Sequence, residues 1–284
     1  MTDASAHLDP RGKDGGNLTM ISETSGDLPG ARSGPGSQPP ALLLVAHGSR
    51  DPRALATVRA LVRLLRARRP RLAVRLGHIE LNEPLLPEVL ADLPAGGEAV
   101  LVPLLLSRGY HVKHDLPAAA EAAGHLRTRV TGPLGPHPLL VAALHDRLRE
   151  AGLPDAPGER ERRRTGVVLA ASGSRDPEAA VDTRRTAALL ARRLGVPVLP
   201  AYASGPGPGV AAAARALAAQ GRHHTALASY FTAPGRFATE AATKFDGLVA
   251  APLGAHPGLA RLVLHRYDSA LRAPAPPVRR LAPA

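Results

Sequence analysis

The chain has 284 residues, is 44% hydrophobic but only 2% aromatic, and carries a formal charge of +12 without a single cysteine. That length accommodates one large domain or two ordinary ones, with a core of Ala, Val and Leu rather than rings. Disulfides, thiolate metal sites and cysteine nucleophiles are excluded, so any metal must rest on His, Asp or Glu.

In chain order, residues 1–40 are rich in Gly, Ser, Pro and Asp without apolar periodicity and read as a disordered leader. An apolar strand over 42–46 leads to a helix over 52–69 with Pro52 at its first position. A strand over 72–81, a helix over 84–93 and an apolar strand over 100–106 come next. Asp115 is placed to cap a helix over 116–123. A fourth strand covers 127–132, and Pro138 leads the last helix of this half. Pro154, Pro157 and Gly158, with the charged run to Arg164, read as a linker over 153–164. Beyond it, strands are expected near 167–171, 196–203, 225–231 and 248–251, with helices between. Residues 272–284, holding Pro274, Pro276 and Pro277, read as a flexible tail. Strands alternating with helices imply an α/β fold with a parallel four-stranded sheet, flanked by helices, in each half.

No apolar run reaches the roughly 18–20 residues that cross a bilayer, and Asp3, Asp9 and Asp14 interrupt any signal-peptide centre. A cytoplasmic protein with no membrane partner is the expectation. Only Lys13, Lys113 and Lys244 are lysines, so the positive charge is almost all arginine. An arginine surplus suits a nucleic-acid binder, a site for an acidic small molecule or a biased composition. Aromatic RNA-binding motifs, zinc-finger spacing and a long basic helix are missing, so no nucleic-acid partner is expected.

The two halves repeat. His47-Gly48-Ser49-Arg50-Asp51-Pro52 returns as Ser172-Gly173-Ser174-Arg175-Asp176-Pro177, after an apolar run in both cases. Pro133-Leu134-Gly135-Pro136-His137-Pro138 returns as Pro252-Leu253-Gly254-Ala255-His256-Pro257. Two landmarks in the same order indicate duplication, with repeats at 41–152 and 165–271. The period is far too long for a solenoid.

In open parallel sheets, ligands sit beyond the carboxyl ends of the strands. His47 follows the first strand, Glu80 ends the second and His111 lies in the loop after the third. Two imidazoles and a carboxylate suit Fe²⁺, Co²⁺ or Zn²⁺. Each residue has a plainer reading. A lone strand-end histidine is commonly a loop residue, Glu80 a surface carboxylate, Glu83 a helix-start acid before Pro84, and Lys113 and His114 a solvated loop face. The functional reading rests on convergence.

The strings Leu44-Val45-Ala46-His47-Gly48-Ser49-Arg50, Ile79-Glu80-Leu81-Asn82-Glu83-Pro84 and Pro103-Leu104-Leu105-Leu106-Ser107-Arg108-Gly109-Tyr110-His111-Val112-Lys113-His114-Asp115 resemble the sirohydrochlorin chelatase family. The resemblance spans both halves, about 41–271. It implies two tandem chelatase-like domains and insertion of Fe²⁺ or Co²⁺ into sirohydrochlorin without ATP, for siroheme or cobalamin. Sirohydrochlorin and the metal are then the partners, and no cofactor beyond that substrate ion is expected. His47 takes the place of a proton-accepting metal ligand and His111 that of the second histidine. Glu80 is favoured for metal and Glu83 for substrate, and Leu106, Ser107, Arg108, Gly109, Tyr110 and His111 line the tetrapyrrole. Neutral histidine, with an ordinary pKa near ~6.5, both binds metal and accepts the pyrrole protons. Arg50, Arg53, Arg108 and Lys113 are expected to meet the substrate's carboxylates.

The second half departs from this pattern. Ser172 replaces His47, Tyr202-Ala203-Ser204-Gly205 holds no carboxylate, and Gly235-Arg236-Phe237 holds no histidine. It is expected to roof the cleft without a metal site of its own, with Arg175 or Arg236 holding carboxylates and His223-His224 on the surface. The two repeats then mimic a dimer of single-repeat subunits within one chain, compatible with a monomer. Two other readings stay open at this point: a non-catalytic metal or tetrapyrrole carrier on the same fold, and a basic nucleic-acid binder.

Overall fold

The computed structural model describes residues 39–155 and 158–274. The expected leader, apart from its last two residues, and most of the expected tail lie outside the described residues. The first half runs β1 (Ala41–Ala46), α1 (Pro52–Arg68), β2 (Val74–His78), α2 (Leu86–Ala91), β3 (Glu98–Pro103), a π-helical turn (His111–Asp115), α3 (Leu116–Ala122), β4 (Arg127–Val130) and α4 (Pro138–Glu150). After α5 (Glu159–Arg164) the second half runs β5 (Thr165–Ala171), α6 (Pro177–Leu194), β6 (Val198–Tyr202), α7 (Val210–Ala219), β7 (His224–Tyr230), α8 (Arg236–Thr243), β8 (Leu248–Val249) and α9 (Pro257–Arg272). No described helix is long and apolar enough to cross a membrane.

Two all-parallel sheets result, ordered β2-β1-β3-β4 and β6-β5-β7-β8. Both faces of each are covered, which is why β1 and β5 are buried along their whole length. Alternation along β1 sorts its side chains. Leu42, Leu44 and Ala46 enter one apolar cluster, while Ala41, Leu43 and Val45 enter another with Leu86, Leu90 and Leu116. The first cluster is shared, because Val167, Leu169, Leu259 and Tyr267 of the second half belong to it too.

The sharing comes from an exchange of terminal helices. α4 packs on β7 and α6 of the second half, and α9 packs on β3 and α1 of the first. Polar bonds pin the exchange. The Tyr267 hydroxyl donates to Pro40 O at 2.6 Å, Arg129 Nη1 to Ala270 O at 2.6 Å, and Arg147 Nη2 to Leu253 O at 2.9 Å. The matched His-Pro landmarks begin these same helices: His137 and His256 are N-caps whose Nδ1 atoms accept the amides of Leu139 and Gly258.

Three local expectations change. The second strand stops at His78 instead of 81, because the chain turns at Leu81 (φ 68°), which is 49% exposed. Asp115 does not cap a helix: its backbone is already helical, and its carboxylate accepts from the His111 ring instead. The segment read as a linker contains α5, with Glu159 and Glu161 in its first turn and three arginines in its last, as the helix dipole favours.

Candidate functional site

In each sheet the chain order reverses between the two central strands, and this switch point is where an open parallel sheet leaves a crevice. The loops after β1, β2 and β3 face those after β5, β6 and β7 across one cleft of ≈ 1670 Å³. Ordinary small-molecule pockets measure roughly 300–1,000 Å³, so this one is large enough for a macrocycle.

His47 and His111 meet there edge to face, ring centroids 4.8 Å apart and planes at 89°. An ion bound to two imidazoles at ~2.1 Å holds their centroids roughly 5 Å apart, a separation comparable to that of this pair. Glu80 stands beside them, Oε1 3.5 Å from His47 Nδ1. The His111 Nδ1 lies 2.6 Å from Asp115 Oδ2, four residues on around the π-helical turn. A carboxylate on one ring nitrogen fixes the orientation of the other, the usual support of a metal-binding imidazole. Among the described residues no three His, Asp or Glu groups already enclose an ion. The arrangement is an open pair of imidazoles with a carboxylate beside one of them.

The loops are locked by backbone contacts. Glu80 N–H donates to His47 O at 3.0 Å, and Ser49 N–H to Asn82 Oδ1 at 2.7 Å. Gly48 has φ 101°, and a Cβ there would fall on the Glu80 carbonyl oxygen. Only glycine permits that approach.

Of the other expected residues, Leu106, Ser107, Gly109 and Tyr110 line the cleft. Tyr110 is 66% exposed, its ring 4.7 Å from that of His114. Arg50 stands exposed on the rim and forms no ion pair among the described residues. Glu83 is not brought in. It is exposed away from the cleft walls and does not start a helix, since α2 begins at Leu86 with Glu88 holding the Leu85 amide. Arg53 is also diverted, paired with Asp51 at 2.6 Å.

Arg108 and Lys113 also line the cleft, but their charges are paired with protein acids. Arg108 makes a two-pronged bond to Asp182, at 2.9 and 2.7 Å, and a third bond to Glu178 at 2.5 Å. Lys113 Nζ lies 2.6 Å from Asp176 and 2.5 Å from Glu178. Burial pushes the Asp182 carboxyl upward, but the Arg108 bonds outweigh it and hold the group below the ordinary carboxylate value. Lys113, bonded first to Asp176 and then to Glu178, is raised above the ordinary ammonium value. Sequence reading missed these acids. The signal was present in α6, whose buried stripe contains Asp182, Thr183 and Thr186 where apolar residues belong.

In the second half Ser204 N–H donates to Ser172 O at 2.9 Å, as Glu80 does to His47, so Ser204 is the counterpart of Glu80. Leu253 bonds to Phe231 as Leu134 bonds to Leu105, which sets Phe237 opposite His111. Ser172, Ser204 and Phe237 thus replace His47, Glu80 and His111. Arg175 and Arg236 are both exposed on the cleft walls, and Arg236 also lies over the Phe237 ring at 4.6 Å and 3.7 Å from Glu240. His223 and His224 are exposed.

The family model CbiX matches residues 41–151 and again 166–270. The chain belongs to the CbiX family. Among relatives of this CbiX-family chain, the sirohydrochlorin ferrochelatase of Bacillus subtilis (strain 168) is 30% identical over 175 residues, 59% of this chain and 64% of the relative. A sirohydrochlorin cobaltochelatase of Methanococcus maripaludis is 37% identical over 79 residues, 27% of this chain and 55% of the relative. The matched segments thus span less than two thirds of either relative's own length. SirB from Bacillus subtilis with Fe³⁺ shares the fold, with a TM-score of 0.67 at 24% identity, covering 82% of this chain and 95% of that one.

Proposed function

We propose that this CbiX-family chain is a sirohydrochlorin chelatase that inserts Fe²⁺ or Co²⁺ without ATP. The observation that carries this reading is the His47–His111 pair at 4.8 Å on the switch point of a macrocycle-sized cleft. The names of the relatives, one for iron and one for cobalt, support both the substrate and the choice of metals. His and carboxylate donors accept either ion.

Metallation must strip water from the cation and remove two pyrrole protons. The imidazoles of His47 and His111 replace water on the ion while leaving other positions open, as a site that passes its metal on requires. Once the ring nitrogens take the ion, the histidines become free to accept the displaced protons. Glu80, half-exposed beside His47, offsets the cation's charge and passes protons to solvent. Asp115 keeps His111 turned to the cleft. Arg50 and Arg175, exposed on opposite walls, meet the carboxylates of the macrocycle.

The test is an anaerobic assay of purified protein with sirohydrochlorin and Fe²⁺ or Co²⁺, following the change in tetrapyrrole absorption. Metallation well above the protein-free rate is expected. Tight binding of sirohydrochlorin with no acceleration would replace the enzyme by a carrier.

A further inference from the structure

We infer that the second repeat acts in the reaction by positioning the His111 loop, through a clamp made by Asp182, Glu178 and Asp176 on Arg108 and Lys113. This rests on the chelatase reading and adds to it a role for the half that has lost the metal-binding side chains.

The argument is one of broken symmetry. The two halves approach each other alike: Gly109 sits against Ser174, and its counterpart Gly235 sits against Ser49. The helix following each Gly-Ser-Arg loop begins with an aspartate cap and a proline, at Asp51-Pro52 and Asp176-Pro177. Yet among the described residues the ion pairs from loop to facing helix exist on one side only. Where the His111 loop carries Arg108 and Lys113, the Phe237 loop carries Pro234 and Thr239. Where α6 carries Glu178 and Asp182, α1 carries Arg53 and Thr57. Arg53 turns back on Asp51, and Thr57 bonds its own helix at Arg53 O.

The clamp is also built as an anchor. Asp182 is 2% exposed, and besides the guanidinium it accepts the Arg108 backbone amide at 3.0 Å. It therefore holds the main chain three residues before His111. Lys113 ties down the other side of that histidine. Both flanks of His111 are fastened to α6. The Tyr230 hydroxyl adds a third tie, donating to Leu106 O at 2.9 Å.

Small displacements of a reacting group cost about 10²-fold in rate, so the clamp is read out in turnover. The variants are Asp182→Asn, Asp182→Glu and, on the half-exposed end of the network, Glu178→Gln. Co²⁺ absorption bands of the wild type and variants without tetrapyrrole report the geometry of the histidine pair independently of turnover. Asp182→Asn is expected to lower kcat by about 10²-fold with KM for sirohydrochlorin within about threefold, and to shift the cobalt bands. Asp182→Glu should recover part of both. Should Asp182→Asn fail to fold, Glu178→Gln carries the test, with a smaller kcat loss and the same spectral shift. Unchanged kcat and cobalt bands in the folded variants would overturn the clamp while leaving the chelatase reading intact. A wild type that shows neither turnover nor cobalt bands would overturn the chelatase reading itself.

Discussion

The two repeats share much of a scaffold down to single hydrogen bonds, yet only the first gathers two imidazoles and a carboxylate at its strand ends. His47 and Ser172 stand at matching positions after β1 and β5, each accepting an amide from the following strand's loop. Gly48 and Gly173 have positive φ, 101° and 83°, and each abuts a carbonyl where a Cβ would sit. What differs at these matched positions is the side chains, and after the third strand also the backbone, where a π-helical turn carries His111 but an ordinary helix carries Phe237. Duplicated backbone geometry therefore belongs to folding, and the residues that break the match are the ones the proposed function uses. Fold conservation without site conservation is what a grafted site predicts.

The largest expected effect breaks the comparison at its centre. His47→Ala and His111→Ala should each lower metallation by roughly 10²–10⁴-fold, the range for losing a positioned proton acceptor, with unchanged circular dichroism. Ser172→Ala, at the matching position, should change the rate by less than about twofold, since its hydroxyl is exposed. A comparable loss in Ser172→Ala would mean that the second repeat contributes a reacting group.

Glycine substitution sharpens the contrast. Gly48→Ala and Gly173→Ala meet the same obstacle, a backbone carbonyl, and each should destabilise by about 1–3 kcal/mol, read from denaturant midpoints. Their effects on turnover should part. Gly48→Ala pushes on Glu80 and should depress kcat at least tenfold, whereas Gly173→Ala pushes on Ser204. Equal losses of activity from equal losses of stability would show that Glu80 has no special role.

Much of this was legible in the sequence because it is local. Apolar runs, Asp-Pro helix starts and strand-end histidines define the α/β order and bring His47, Glu80 and His111 to one rim. The acid partners of Arg108 and Lys113 were not legible, because an ion pair depends on what the other half presents, and no spacing rule reports that Asp182 faces Arg108 across the chain. The exchange of α4 and α9 was hidden for the same reason, since an amphipathic helix shows that it has a partner face but not which sheet receives it. Glu83 misled by proximity: it adjoins Glu80 in sequence, but the turn at Leu81 leaves it outside the cleft.

The smallest expected effect lies where the repeats still agree. His137 and His256 cap the exchanged helices through Nδ1, which must be unprotonated to accept an amide. Burial lowers both below the ordinary 6.5, assisted by Arg266 and His265 at His137 and by Arg147 at His256, where Asp146 and Glu150 pull the other way. A depressed histidine contributes stability that is complete above the unfolded value and lost as pH falls below it. Stability should therefore decline as pH falls below the ordinary 6.5 of an unfolded histidine, with buried His78, also lowered, adding to the slope. The carboxylate clamp holds until far lower pH, because Asp176 and Asp182 sit below their ordinary 3.8. Replacing both caps by asparagine, which accepts the amide without titrating, should flatten the decline of the thermal midpoint between pH 6.5 and 5 but leave the acid limb below 4. An unaltered slope in the double variant would place the titrating groups elsewhere, and the repeated His-Pro landmark would keep its caps but lose its part in the pH dependence.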